Sequence, residues 1–492
     1  MGKDIAPTVF SREDRRRYRE KVRRCLDVFA RMLAEARFDV VPSSMGLEVE
    51  LNLTDDDGDP AMRNAEVLDA VEDPAFQTEL GQWNIEINVP PQKMAGSGLA
   101  DFERDVRRDL NAADVKARTA GAHIVMVGIL PTLTPDHTTF ETMSANPRYA
   151  LLNEQIIAAR GENLEIDISG IERLFTYSET VLPEAACTSV QIHLQVSPEE
   201  FASYWNASQA IAGPQVAVAA NSPYFFGKEL WRETRIALFL QAIDTRPDEL
   251  KVQGVRPRVW FGERWITSIF DLFEENVRYF PALLPLCVDE DPLEVLEGGG
   301  TPELDELRLQ NGTVWRWNRP VYDVVAGVPH LRVENRVLPA GPTVADTVAN
   351  AAFYAGVVRT LAEEEWPLWS QMSFAAAEEN FHAGARDGID AKLYWPGVGE
   401  VPATELMVRR LLPLAYEGLD RWGVDAAIRD RLLGIVEQRC LTRQNGAAWQ
   451  VETVRRLDPR DSDRFKSLRA MLLQYYAHMH SNEPVHTWPL KT

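Results

Sequence analysis

Apolar positions recur along this chain with two periods, and the change of period marks its elements. From Ser11 to Phe38, Tyr18, Val22, Leu26, Phe29 and Leu33 share one helical face, with Ser11 and Asp14 as an N-cap pair. A second amphipathic helix is expected over Leu99–Thr119, using Leu99, Phe102, Val106 and Leu110 and closing at Gly121. The nearly continuous apolar run Ile124–Leu130 reads as a strand buried on both faces. Helical character returns over Pro198–Asp244, with breaks expected at Pro214 and at the Asn221-Ser222-Pro223 turn. Asp289–Asn311, acidic and containing Gly298-Gly299-Gly300, reads as a mobile surface loop. From Thr343, with Asp346 completing a capping pair, the pattern is helical almost to the last residues.

Four segments alternate with period two instead. Met45–Leu53 sets Glu48, Glu50 and Asn52 against Met45, Leu47, Val49, Leu51 and Leu53. Trp83–Val89 sets Asn84, Glu86 and Asn88 against Trp83, Ile85, Ile87 and Val89. Ser189–Val196 opposes Gln191, His193 and Gln195 to Val190, Ile192, Leu194 and Val196; Leu331–Val337 opposes Arg332, Glu334 and Arg336 to Leu331, Val333 and Val337. Each polar trio projects from one face of a strand. An antiparallel sheet with one wet face gives the same alternation. These trios, however, hold Glu, His, Asn, Gln and Arg rather than the Thr and Lys of a solvent face. Carboxylates on neighbouring strands repel unless a cation lies between them. Oxygen-rich sites with one imidazole suit Mg²⁺ or Mn²⁺, and arginines flanking a glutamate suit phosphate oxygens.

Composition narrows the class. A net charge of -22 argues against nucleic acid and anionic membranes as partners. The four cysteines, Cys25, Cys187, Cys287 and Cys440, are far apart and read as reduced thiols of a cytoplasmic protein. Met1–Phe10 lacks a signal layout, and no apolar run could span a bilayer. Phosphate-loop, dinucleotide, zincin and hydrolase motifs are missing. His478, His480 and His486 lack Cys or Glu at ligand spacing and read as a surface tail. Trp315 and Trp317 could stack on a base or belong to the core, and Arg319 could pair with a surface acid.

At these residues the chain resembles glutamate–cysteine ligase family 2, the bacterial carboxylate–amine ligases related to glutamine synthetase. Gly46-Leu47-Glu48-Val49-Glu50 resembles the family's opening strand, and Glu79-Leu80-Gly81-Gln82-Trp83-Asn84-Ile85-Glu86 followed by Pro90 its second acidic strand. Ser189–Leu194 resembles its Q-x-H strand and Arg332–Arg336 its R-x-E-x-R strand. Asn221-Ser222-Pro223 with Trp231 and Arg235, and Gly312–Trp315 leading to Arg319, resemble further family segments. The matches keep family order over about residues 45 to 365. Gly128-Ile129-Leu130-Pro131-Thr132 departs from a more polar family stretch.

The resemblance implies an α+β fold: a glutamine-synthetase-like cup of antiparallel strands flanked by helices, with a C-terminal helical region that could cap the cup or mediate homo-oligomerisation. Residues 1–40 would be a helix packed on the body, 41–345 the ATP- and Mg²⁺-binding catalytic body, and 346–492 mainly helical. Glu48, Glu50, Glu86, His193 and Glu334 would be metal ligands. Gln191, Arg319, Arg332 and Arg336 would meet the nucleotide, the three arginines also serving catalysis, and Glu50 and Arg235 would meet substrate. The implied reaction joins an amino-acid carboxylate to an amine through an acyl phosphate, as glutamate–cysteine ligase does, and uses no cysteine nucleophile. A guanidino-kinase-like phosphotransferase and a non-catalytic nucleotide-binding homologue stay open as alternatives.

Overall fold

The structure, a computed structural model, describes residues 10–38 and 44–490. The Met1–Val9 part of the expected leaderless N-terminus and the 40/41 boundary lie outside them. The fold is mixed helix and sheet. Seven strands form the central sheet: β1 (Ser44–Thr54), β2 (Phe76–Thr78), β3 (Asn84–Lys93), β4 (His123–Val125), β5 (Ser189–Gln195), β6 (Asn318–Val325) and β7 (Val328–Pro339). Their order is β6-β7-β5-β1-β3-β2, every pair antiparallel, with β4 paired to the far end of β1. All four alternating segments are therefore strands, and they are contiguous in the sheet. Leu47, Val49, Ile85, Ile192 and Val333, the apolar halves of the alternation, are essentially inaccessible.

Helices flank the sheet. α1 (Arg12–Ala34) starts with the expected capping box between Ser11 and Asp14 and buries Tyr18, Val22, Leu26 and Phe29. α2 (Gly98–Thr119) buries the four expected residues. α3 (Phe201–Ala219) and α7 (Val344–Ala362), the latter capped by Thr343, are buried almost all round and pack on the sheet. α4 (Ile269–Tyr279) and α6 (Asp305–Gly312) lie beside α1. One apolar core runs from Tyr18 to Trp488, so the helices after α7 share it with the sheet. Among the described residues no helix is long and apolar enough to cross a membrane.

Four local expectations are corrected. Pro214 does not break α3, because removing one hydrogen bond matters less than packing on every side. Its neighbour Gly213 lies so near Asn380 that an added Cβ would sit 2.6 Å from that backbone carbonyl. Of Ile124–Leu130 only the first residues are strand. Beyond them the backbone is irregular, and side chains and loops satisfy it: Asn52 donates to the Val127 carbonyl at 3.1 Å and Thr188 N–H to that of Gly128 at 3.0 Å. Asp289–Asn311 is no loose loop. Asp291 caps a short helix, α5 (Pro292–Glu297), and α6 is anchored under α1, where Tyr18 donates to the Glu306 carbonyl at 2.8 Å. The C-terminal histidines are half-buried rather than a free tail, His478 stacking on Trp488 and His480 packing on Tyr476.

Candidate active site

Strand register carries the polar trios onto one face. Glu334 pairs across to Arg319 on β6 and to His193 on β5; Glu48 lies opposite Gln191 and Asn88, and Glu50 opposite Glu86. Two acidic clusters result, and within each the ligand atoms all lie within 4.8 Å of one another: Glu48, His193 and Glu334, and Glu50, Glu79 and Glu86.

The first cluster is balanced by protein cations. Arg319 holds Glu334 with both prongs of its guanidinium, the longer contact at 2.8 Å, and Arg336 lies 3.4 Å away. His193 Nε2 is 3.1 Å from Glu48 and 3.8 Å from Glu334. Neither ring nitrogen of this buried imidazole makes an aligned hydrogen bond. Burial alone would raise both carboxyl groups. The cations outweigh it: Arg319, Arg336 and His193 hold Glu334 far below the usual range, and His193 with Arg336 lowers Glu48.

The second cluster has no such balance. Burial, reinforced by Glu50 and Glu184, pushes Glu79 up to about 8. Glu86 is pushed well above the carboxylate range by burial and then by Glu79, Glu48 and Glu50, and burial also raises Glu50. Two carboxylates at this spacing repel by about 3 kcal/mol at an effective dielectric near 20. Protonating one at neutral pH costs about as much, so the cluster must take up protons or a cation. Its three acids are half-buried, and their all-oxygen donor set fits Mg²⁺ or Mn²⁺.

Arg336 stands between the clusters. Its Nη1 donates to Gln191 Oε1 at 2.6 Å, and Gln191 donates in turn to Glu50 at 2.9 Å. The strand bulges here, the register slipping between Asn335 and Leu338. The two bulge carbonyls, of Arg336 and Val337, accept from Arg235 at 3.4 and 2.5 Å, and Glu233 holds the Arg235 Nε at 3.0 Å. Arg235, expected to meet substrate, is thus buried behind the sheet as a strut for the bulge. Arg332 is one step along the face, 3.3 Å from Asp323. Trp317 is core, packed 5.7 Å from the Arg235 guanidinium and closed to a nucleobase. Cys187 is a half-buried thiol, pushed up by desolvation and then by Glu184.

A cavity of about 320 Å³ opens on the first cluster. Glu48, His193, Arg319, Arg332 and Glu334 line it, together with the apolar Phe273, Leu284 and Leu286.

Known proteins share this arrangement of sequence and fold. The model of the glutamate-cysteine ligase family 2 matches residues 44–457. The chain belongs to that family. A Salinispora tropica protein named "Putative glutamate--cysteine ligase 2" is 23% identical over 423 residues, 83% of this chain and 92% of its own length. Among solved structures, the glutamate–cysteine ligase of Francisella tularensis in complex with AMP is similar with a TM-score of 0.56 at 12% identity, covering 93% of this chain and 91% of that one. The bifunctional glutathione synthetase of Pasteurella multocida gives 0.55 at 12%, covering 93% and 55%. At such identities these structures speak for the fold.

In this family member, eight of the ten expected site residues meet on one face around the two clusters: Glu48, Glu50, Glu86, Gln191, His193, Arg319, Glu334 and Arg336. Arg332 is adjacent and Arg235 lies behind. Strand alternation does not find two of the acids gathered here. Glu79 lies within the acidic motif that ends at Glu86 but just before its strand, so alternation could not place it. Glu184 sits in a 3₁₀ turn, Leu182–Ala186, where no periodicity applies; burial and then Glu50 push it up to about 8.

Proposed function

We propose that this protein is an ATP- and Mg²⁺-dependent carboxylate–amine ligase that forms an amide through an acyl phosphate. The observation that carries the reading is the pair of acidic clusters on neighbouring strands, linked through Arg336 and Gln191, with a cavity opening on the first of them. Glu50, Glu79 and Glu86 would hold one ion, and Glu48, His193 and Glu334 another. A bound divalent ion offsets repulsion between the acceptor carboxylate and the triphosphate and polarises the phosphoryl oxygens. Arg319 and Arg336, fixed by Glu334 and Gln191, offer planar donors where charge builds on the transferring phosphoryl group, with Arg332 beside them. Phe273, Leu284 and Leu286 supply an apolar surface for a purine ring.

The sheet's relation to glutamine synthetase, the catalytic role of residues 41–345 and action in the cytoplasm are parts of the same proposal. Glutamate and cysteine are the first substrates to test. The test is ADP release with Mg²⁺-ATP, glutamate and a panel of amines, with mass spectrometry of the products. An amide formed in step with ADP supports the ligase. A phosphorylated acceptor without amide would replace it with a phosphotransferase, and ATP binding with no turnover on any pair would favour a non-catalytic homologue.

A further inference from the structure

Away from the sheet, α1 and the end of α4 enclose a second cleft of about 360 Å³. Arg15, Arg19 and Arg23 line it from α1, four residues apart and so on one helical face; Arg278 lines it from α4, already paired with Glu274 at 2.6 Å. No carboxylate lines it. In a chain of net charge -22 that is an unusual surface.

The rest of α1 shows the contrast. Around the helix, Arg16 is paired with Glu13 and Glu20, Arg24 with Asp291, and Arg31 with Glu35. On the cleft side Arg15 meets, among the described residues, neutral oxygens: the Ala282 carbonyl at 3.1 Å and Gln155 at 3.2 Å. Arg19 and Arg23 make no ion pair among the described residues. Like charges at this spacing destabilise a helix by a few tenths of a kcal/mol per pair. Among the described residues Arg15, Arg19 and Arg23 have no carboxylate partner to offset that repulsion, whereas Arg16, Arg24 and Arg31 do. Below the guanidiniums, Tyr18, Val22 and Phe280 form a mostly apolar floor.

We infer that this cleft binds a small polyanion, a compound carrying two or more phosphate or carboxylate groups. Guanidinium forks match both oxyanions in bidentate fashion, and the volume lies in the range of small-molecule sites. The acidic remainder of the surface disfavours a long nucleic acid.

The test is calorimetric titration of the full chain, free of divalent ions, with inorganic pyrophosphate and separately with citrate. The probe that binds identifies the oxyanion class. The Arg19→Gln/Arg23→Gln double variant alters only exposed side chains, so an unchanged melting temperature is expected alongside at least tenfold weaker binding. Absence of binding by both probes at millimolar concentration would overturn the proposal. So would equal affinity in the double variant, because it would locate the anion elsewhere.

Discussion

The two acidic clusters share a sheet and a degree of enclosure, yet their electrostatics are opposite. Around Glu48, His193 and Glu334 the chain supplies two guanidiniums and an imidazole, and the carboxyl groups titrate low. Around Glu50, Glu79 and Glu86 it supplies neutral donors, such as the Ser189 N–H to Glu50 at 2.6 Å and Gln191, with Arg336 and Arg235 at longer range on Glu50, and Glu79 and Glu86 titrate high. Burial is common to both, so it cannot explain the difference; the supply of fixed cations does. The first cluster has protein cations against its carboxylates, whereas the second has no comparable counter-charge among the described residues.

The largest consequence concerns Glu334. Glu334→Gln removes the charge that Arg319 and Arg336 share and leaves two enclosed guanidiniums poorly paired, which should cost about 3 kcal/mol of stability and abolish Mg²⁺-dependent turnover. Urea unfolding reads the first effect; a loss below about 1 kcal/mol would show that the arginines find other acceptors and would erase the contrast. Next in size, Mg²⁺ at about 100 times its dissociation constant should stabilise the wild-type chain by about 2.7 kcal/mol. Glu86→Gln should lose most of that gain, and an undiminished gain would move the ion away from the second cluster.

A smaller effect depends on pH. Glu79 and Glu184 titrate at about 8 in the folded chain, above the ordinary 4.5, so between those values the folded state holds more protons than the unfolded one. Their contribution is complete at low pH and is lost as pH rises through about 8. In EDTA, stability should therefore fall from about pH 5 to about pH 8, and Mg²⁺ should flatten the slope. A flat profile in EDTA would mean the acids are relieved by other means. Smallest of all, Glu79→Gln in EDTA at neutral pH should stabilise the protein by about 1 kcal/mol, because the fold no longer has to hold a carboxyl in its protonated form, the reverse of Glu334→Gln; destabilisation instead would give both clusters the same character.

Much of the site is legible in the sequence because a strand has period two. Once Glu48, Glu86, His193 and Glu334 fall on one parity of four strands, adjacency in the sheet brings them together, and family order points to that adjacency. What alternation could not reach lay off the strands. Glu79 and Glu184 sit on irregular backbone, and Arg235 lies behind the sheet, held to the carbonyls of a bulge that shifts parity within β7. Local breakers also misled where tertiary packing won, as at Pro214 inside the buried α3. The glycines near 298–300 suggested looseness, but the helices on either side are anchored by Asp291 and by burial of Leu304 and Leu307.

The cap of α7 has a consequence for the order in which the molecule can be made. Asp346 closes the start of that helix with Thr343, just after the strand bearing Arg336, and its other contacts come from far downstream: the Arg439 guanidinium at 2.8 Å and the Val485 N–H at 3.0 Å. A ribosome therefore releases β7 and α7 well before the partners that lock them. Until residues near 485 emerge, this junction remains an open seam in the nascent chain, and a chaperone that shelters it would have to stay for roughly 140 residues of synthesis, a span of about 10 s or more at bacterial elongation rates.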